Sequence, residues 1–186
     1  MECISNTELD IIKRFRLLWN QHSEWTRMAV NSIVFMLPNQ EQTVNRLLRN
    51  PGDFGMTFRV FYGERIGNGF ADLLTEHLVL AADLVKAVMA GNTAEAEAIN
   101  TRWYANAGEI AVFLAGINPC WSEAEWREMM FTHLQLVADE ALTLINKEYQ
   151  RNIDIYDVIE AQAMEMADTM SEGIIDQFFR RKCRKH

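Results

Sequence analysis

Apolar residues recur at intervals of three and four along almost the whole of this 186-residue chain, and strand-like alternation is nowhere sustained. A stripe with that spacing covers one side of an α-helix, so the expected fold is all-α. Five long helices are expected. The first runs from about Thr7 or Glu8 to Leu37, is stopped by Pro38, and turns Phe15, Leu18, His22, Trp25, Ala29 and Ile33 inward. Residues 39–63 break into two short helical pieces around Asn50-Pro51-Gly52 and read as a crossover or cap. The next long helix spans about Glu64 to Ala90, with Phe70, Leu74, His77, Ala81, Leu84 and Val88 on one face. Gly67 and Gly69 near its start suggest the close approach of another backbone.

A third long helix is expected from Thr93 to about Ala115, through Trp103, Asn106 and Ile110, and a fourth from Ser122 to about Tyr149, through Trp126, Met130 and His133. Asn92 to Glu95 and Ser122 to Glu125 have capping-box spacing at their starts. The last runs from about Asp154 to Phe178, with Asp168 at the edge of its stripe. Short connections imply an antiparallel four-helix-type bundle, with a fifth long helix packed beside it and a short helical crossover.

The length suits one domain, residues 1–179, followed by a basic tail over 180–186. The chain carries a net charge of −8, but the tail holds five basic residues and no acid, so residues 1–179 carry 13 basic against 26 acidic groups. A body that acidic repels phosphate backbones and anionic lipid, so nucleic acid and membrane are not expected partners. Cys3, Cys120 and Cys183 are odd in number and widely spaced, which implies no disulfide framework. The N-terminal MECISNTELDIIKRF lacks the basic-then-apolar pattern of a signal peptide, so the cytoplasm is the expected location.

The informative chemistry is the polar residue on an apolar stripe. His22, His77 and His133 each come from a different long helix, near its middle. Mid-helix positions stay at mid-depth whichever way a helix runs, so the three can share one layer. Asp168 and Asn106 fall in that layer by the same arithmetic. Three imidazoles and a carboxylate would make a first shell for zinc, iron, manganese or nickel. The expected metal ligands are therefore His22, His77, His133 and Asp168, with Asn106, Trp25 and Trp103 against a bound small molecule. Glu140 and Glu160, seven or eight residues from the layer, are expected to serve a second layer or rim. Arg27, Arg46 and Arg49 read as solvated surface or as the mouth of an anion-accepting site.

Other chemistries lack their parts. The chain has no Glu-x-x-His, no H-E-x-x-H, no G-x-x-x-x-G-K-[ST] and no G-x-S-x-G, and no strand precedes the GERIGNG run of residues 63–69. No nucleotide cofactor is expected.

The segments LLWNQHSEWTRMAV, NRLLRNPGDFG, FYGERIGNGFADLLTEHLVLAADLVKA, RWYANAGEIAVFLAGINPCWSE and MADTMSEGIIDQF together resemble a family of small, uncharacterised bacterial all-helical proteins, over about residues 10–179. Some of its members carry the label acetylglutamate kinase, a class of α/β enzymes with glycine-rich phosphate loops that this chain lacks. The resemblance implies an all-helical fold and no assigned reaction. More distantly, the arrangement is similar to three-histidine bundles of the DinB type, some of which are metal-dependent thiol transferases. Those usually take two histidines from one helix, whereas here each has its own.

Two functional expectations follow. One is a small metalloprotein with a mid-bundle histidine layer, binding a transition metal and a small molecule. The other is a non-catalytic helical bundle, a homodimer or a partner-binding scaffold, in which the histidines form a structural polar network.

Overall fold

A computed structural model describes residues 4–181 and 183. Its described residues form an all-α bundle of seven helices: α1 (Asn6–Val34), α2 (Gln40–Leu47), α3 (Asn50–Tyr62), α4 (Glu64–Met89), α5 (Thr93–Ile117), α6 (Glu123–Ile145) and α7 (Tyr149–Ile175). A π-helical turn, Asp176–Arg180, ends α7. No helix among the described residues is long and apolar enough to cross a membrane.

Local sequence signals set most of the boundaries. Ser5 and Glu8 form a reciprocal capping box that starts α1 at Asn6, one or two residues earlier than expected. The side chains of Asn92 and Ser122 accept from Glu95 and Glu125, opening α5 and α6 as their spacing predicts. The largest revision is at α7, which begins at Tyr149 rather than near Asp154. Lys147 takes a left-handed conformation at φ 63°, which turns the chain tightly enough for the helix to resume two residues later.

The helices neighbour one another in a closed order, α1, α7, α6, α5, α4 and α3, with α3 returning to α1. The short helical crossover is present as α2 and α3, and α3 does more than connect. It packs along α4 and inserts Phe54 and Phe58, both fully buried, among Phe15, Trp19 and Phe70. Gly67 makes that crossing possible, since a Cβ there would stand 2.5 Å from the Gly55 carbonyl oxygen.

Residues eight beyond each layer histidine, Val30, Val85 and Ala141, share one small core cluster. The helices α1, α4 and α6 therefore run in the same sense through the molecule, with α3, α5 and α7 antiparallel between them.

At the other end, Cys120 and Cys183 are joined as a disulfide, correcting the expectation that the cysteines form no disulfide framework. Arg181, left-handed at φ 52°, turns the chain after α7 back toward the α5–α6 connection. Sequence separation alone does not reveal that return. Cys3 and the tail residues Lys182, Arg184, Lys185 and His186 lie outside the described residues.

Candidate metal centre

His22 on α1, His77 on α4 and His133 on α6 are only 1%, 1% and 2% exposed. Their ring centroids stand 6.4 Å (His22–His77), 5.5 Å (His22–His133) and 6.4 Å (His77–His133) apart. One nitrogen from each ring lies within 4.8 Å of the other two. Mid-depth reasoning thus brings the three histidines together as expected.

The side chains behind them set their chemistry. Each Nδ1 lies 3.1 Å from a side-chain amide oxygen: Asn50 Oδ1 for His22, Asn106 Oδ1 for His77 and Gln162 Oε1 for His133. Each amide nitrogen donates to a backbone carbonyl, Leu18 at 3.0 Å, Leu73 at 3.1 Å and Met129 at 2.9 Å. A carbonyl only accepts, so the NH2 of each amide must face it and the amide oxygen must face the imidazole. The ring then donates from Nδ1, and its Nε2 keeps a free lone pair. Three imidazoles are locked in one tautomer by three independent clamps.

The clamps repeat. In each case the accepting carbonyl belongs to the residue four before the histidine, and the amide lies 28, 29 and 29 residues after it. Seven residues before the histidines stand Phe15, Phe70 and Trp126, all essentially fully buried. The helix pairs α1/α3, α4/α5 and α6/α7 are three copies of one arrangement around the layer.

Burial holds all three rings neutral. It lowers the His22 pKa well below the ordinary value, with the neighbouring rings of His133 and His77 adding to the effect and the Asn50 clamp opposing it. The same desolvation, reinforced by His133 and opposed by the Asn106 clamp, brings His77 to about 3. Desolvation brings His133 to about 4 against the Gln162 hydrogen bond. Neutral imidazoles with Nε2 free are in the protonation state a metal requires.

Asp168 does not join them. Its carboxylate makes a two-pronged ion pair with Arg16, both contacts at 2.7 Å, and its side chain is 38% exposed. The cause is the early start of α7, which moves the mid-layer position from Asp168 to Gln162. Asn106 is at the site, but as the clamp on His77.

Trp103 packs against His77 with tilted rings and centroids 5.5 Å apart, whereas Trp25 is half-buried under the Arg46 guanidinium. Glu140 is 1% exposed and ion-paired with Arg27 at 2.8 Å, and burial pushes its carboxyl up to about 7 against the pull of that partner. Glu160 is exposed, correcting its inward assignment. Sequence reasoning missed Asn50 and Gln162. The signal that finds them is the recurrence of an amide 28 or 29 residues after each layer histidine.

Fold and site together define an all-α bundle closed around a tri-histidine cluster with amide-clamped rings. No family model, curated protein or solved structure matches this chain.

Proposed function

We propose that this protein binds one divalent transition metal through Nε2 of His22, His77 and His133, and is a small helical-bundle metalloprotein. The observation that carries the reading is the direction of the three clamps. They place every Nδ1–H outward, so the rings present one another with three acceptors and no donor. A polar network formed for structure alone would pair donors with acceptors across the layer, and these rings cannot. A metal ion resolves the mismatch, because it takes all three lone pairs at once. Ligating histidines are typically oriented by a hydrogen bond from the other ring nitrogen to a carbonyl or carboxylate, the role the three amides fill here.

A metal with Zn–N distances of about 2.0–2.1 Å requires only a small inward adjustment of rings already this close. Three nitrogen ligands leave at least one position open for a further ligand, which a catalytic or sensing role requires. Of the metals expected, zinc, iron and nickel suit neutral imidazoles, whereas manganese prefers oxygen ligands.

The test is elemental analysis of untagged protein purified without chelators, beside a His77→Ala variant. About one equivalent of metal per chain, absent from the variant, is the expected result for a single three-ligand centre. A folded wild type that is metal-free and cannot be loaded with zinc, nickel or cobalt would overturn the proposal.

A further inference from the structure

The two sides of the histidine layer differ. Toward the N-termini of α1, α4 and α6 the layer is backed by Trp19, 5.3 Å from His22 and 6.4 Å from His133, and then by the packed rings of Phe15, Phe54 and Phe70. Toward the C-termini of α4 and α6 a cavity of about 170 Å³ opens between these helices and α5. Ala81 and Val137, one helical turn beyond His77 and His133, line its inner end together with Trp103. Val85, Ala141 and Ile145 carry the lining outward, and it is almost wholly apolar.

Buried donors without acceptors stand around the layer: the Trp19 indole on the aromatic side, the Thr26 hydroxyl on α1, and Trp103, which alone of the three lines the cavity. Trp103 is 2% exposed and its Nε1 has no partner; Thr26, one turn beyond His22, is 5% exposed and its hydroxyl has none either. An indole N–H can only donate, so it needs an acceptor to be satisfied.

Charge sharpens the requirement. The cluster contains no carboxylate or thiolate among the described residues. Glu76, Glu140 and Asp168, on the helices that frame the layer, are already engaged with Arg102, Arg27 and Arg16. A divalent ion held by three neutral rings would bring two uncompensated positive charges into a nearly dry interior, which is strongly unfavourable without a counter-charge. An anion at the open position provides that charge and also an acceptor on the side of the Trp103 indole.

Resting on the metal reading above, we infer that the centre takes a small organic monoanion with an apolar tail, a short-chain carboxylate. The carboxylate completes the metal's coordination on the side of Trp103, and the tail fills the cavity beyond Ala81 and Val137. Cavities of roughly this volume accommodate molecules of about the size of benzene, so a tail of about four to six carbons fits.

The experiment uses the full-length protein loaded with Co(II), whose visible bands report coordination, titrated with acetate, butyrate and hexanoate. The bands are expected to shift with each acid, and affinity to rise about fourfold per added methylene at about 0.8 kcal/mol each until the cavity is full. Ala141→Phe, which fills the outer cavity two turns from His133, should leave the cobalt bands and the acetate response in place and abolish the gain from chain length. Bands that no carboxylate moves, or equal affinity for acetate and hexanoate in the wild type, would overturn this inference while leaving the metal centre standing. Failure of Co(II), zinc and nickel alike to bind the folded protein would remove the metal reading, and this inference with it.

Discussion

The amide of Asn50 joins two helices through one ring: its oxygen lies 3.1 Å from His22 Nδ1, and its nitrogen donates to the Leu18 carbonyl at 3.0 Å. Asn50 is the first residue of α3 and Leu18 lies one turn before His22 on α1, so a short crossover helix fixes the tautomer of a ring in the centre of the molecule. Asn106 and Gln162 do the same from α5 and α7.

Removing a clamp should therefore weaken metal binding without removing a ligand. For Gln162→Leu we expect affinity to fall by about 10–100-fold, the usual consequence of losing an orienting partner. Stranding the buried His133 Nδ1–H should also cost about 1–3 kcal/mol of metal-free stability. Competition against a chelator of known affinity measures the first, and urea denaturation the second. Unchanged affinity in a folded variant would show that the amides do not prepare the rings.

Asp168→Ala should leave metal binding untouched. Its carboxylate serves Arg16 on the surface, where an exposed pair is worth about 0–1 kcal/mol even with two-pronged geometry. Equal metal content in wild type and variant is the expected outcome, and loss of metal would place the carboxylate at the centre after all.

Much of this arrangement is legible in the order of residues alone, and the misses have physical causes. Helical period and capping boxes locate α1, α4, α5 and α6, and mid-depth reasoning unites three histidines from three helices. It fails for Asp168 because depth is counted from a helix start, and the start of α7 is hidden by the left-handed turn at Lys147. Asn50 escapes notice because Pro51 and Gly52 read as a break, yet proline is favoured in the first turn of a helix, where its missing N–H leaves no bond unmade. The Cys120–Cys183 bond depends on a chain reversal at Arg181 that no local pattern announces.

That disulfide closes a loop of 63 residues, which the chain-entropy argument values at about 4 kcal/mol as an upper figure. Thermal melts with and without dithiothreitol should differ for the wild type and coincide for Cys183→Ser, at the lower value. Metal content should be unaffected, because the bond lies at the opposite end from the cavity side of the layer. A melting temperature indifferent to reductant would mean that the bond does not form in solution.

The crossing of α3 on α4 admits no side chain at Gly67, so Gly67→Val should push α3 away from α4. Overpacking of this kind costs about 1–3 kcal/mol. Because α3 carries Asn50, the displacement should also loosen the clamp on His22. The expected result is a lower urea midpoint together with weaker metal binding. Gly52→Ala, where a Cβ meets nothing within 4 Å, is the control and should change neither.

Acid should unfold the metal-free protein through the same three rings. Their folded pKa values lie below the ordinary 6.5, at about 3 for His77 and about 4 for His133, with His22 also well below it. As pH falls through 6.5 the unfolded chain takes up protons that the folded chain refuses, so stability must decline, and the decline continues until the folded values are reached. Glu140 works in the opposite sense. Its folded value is raised from 4.5 to about 7, so its contribution is present below 4.5 and is lost as pH rises through 7. Between pH 6.5 and 5 three histidines outweigh one carboxyl, and the net slope is toward instability in acid. Urea midpoints measured with chelator present should therefore fall from pH 7 to pH 5. Replacing His133 with Phe should flatten that fall, since one refused proton is gone. A midpoint constant across the interval would mean that the rings are not held neutral by burial.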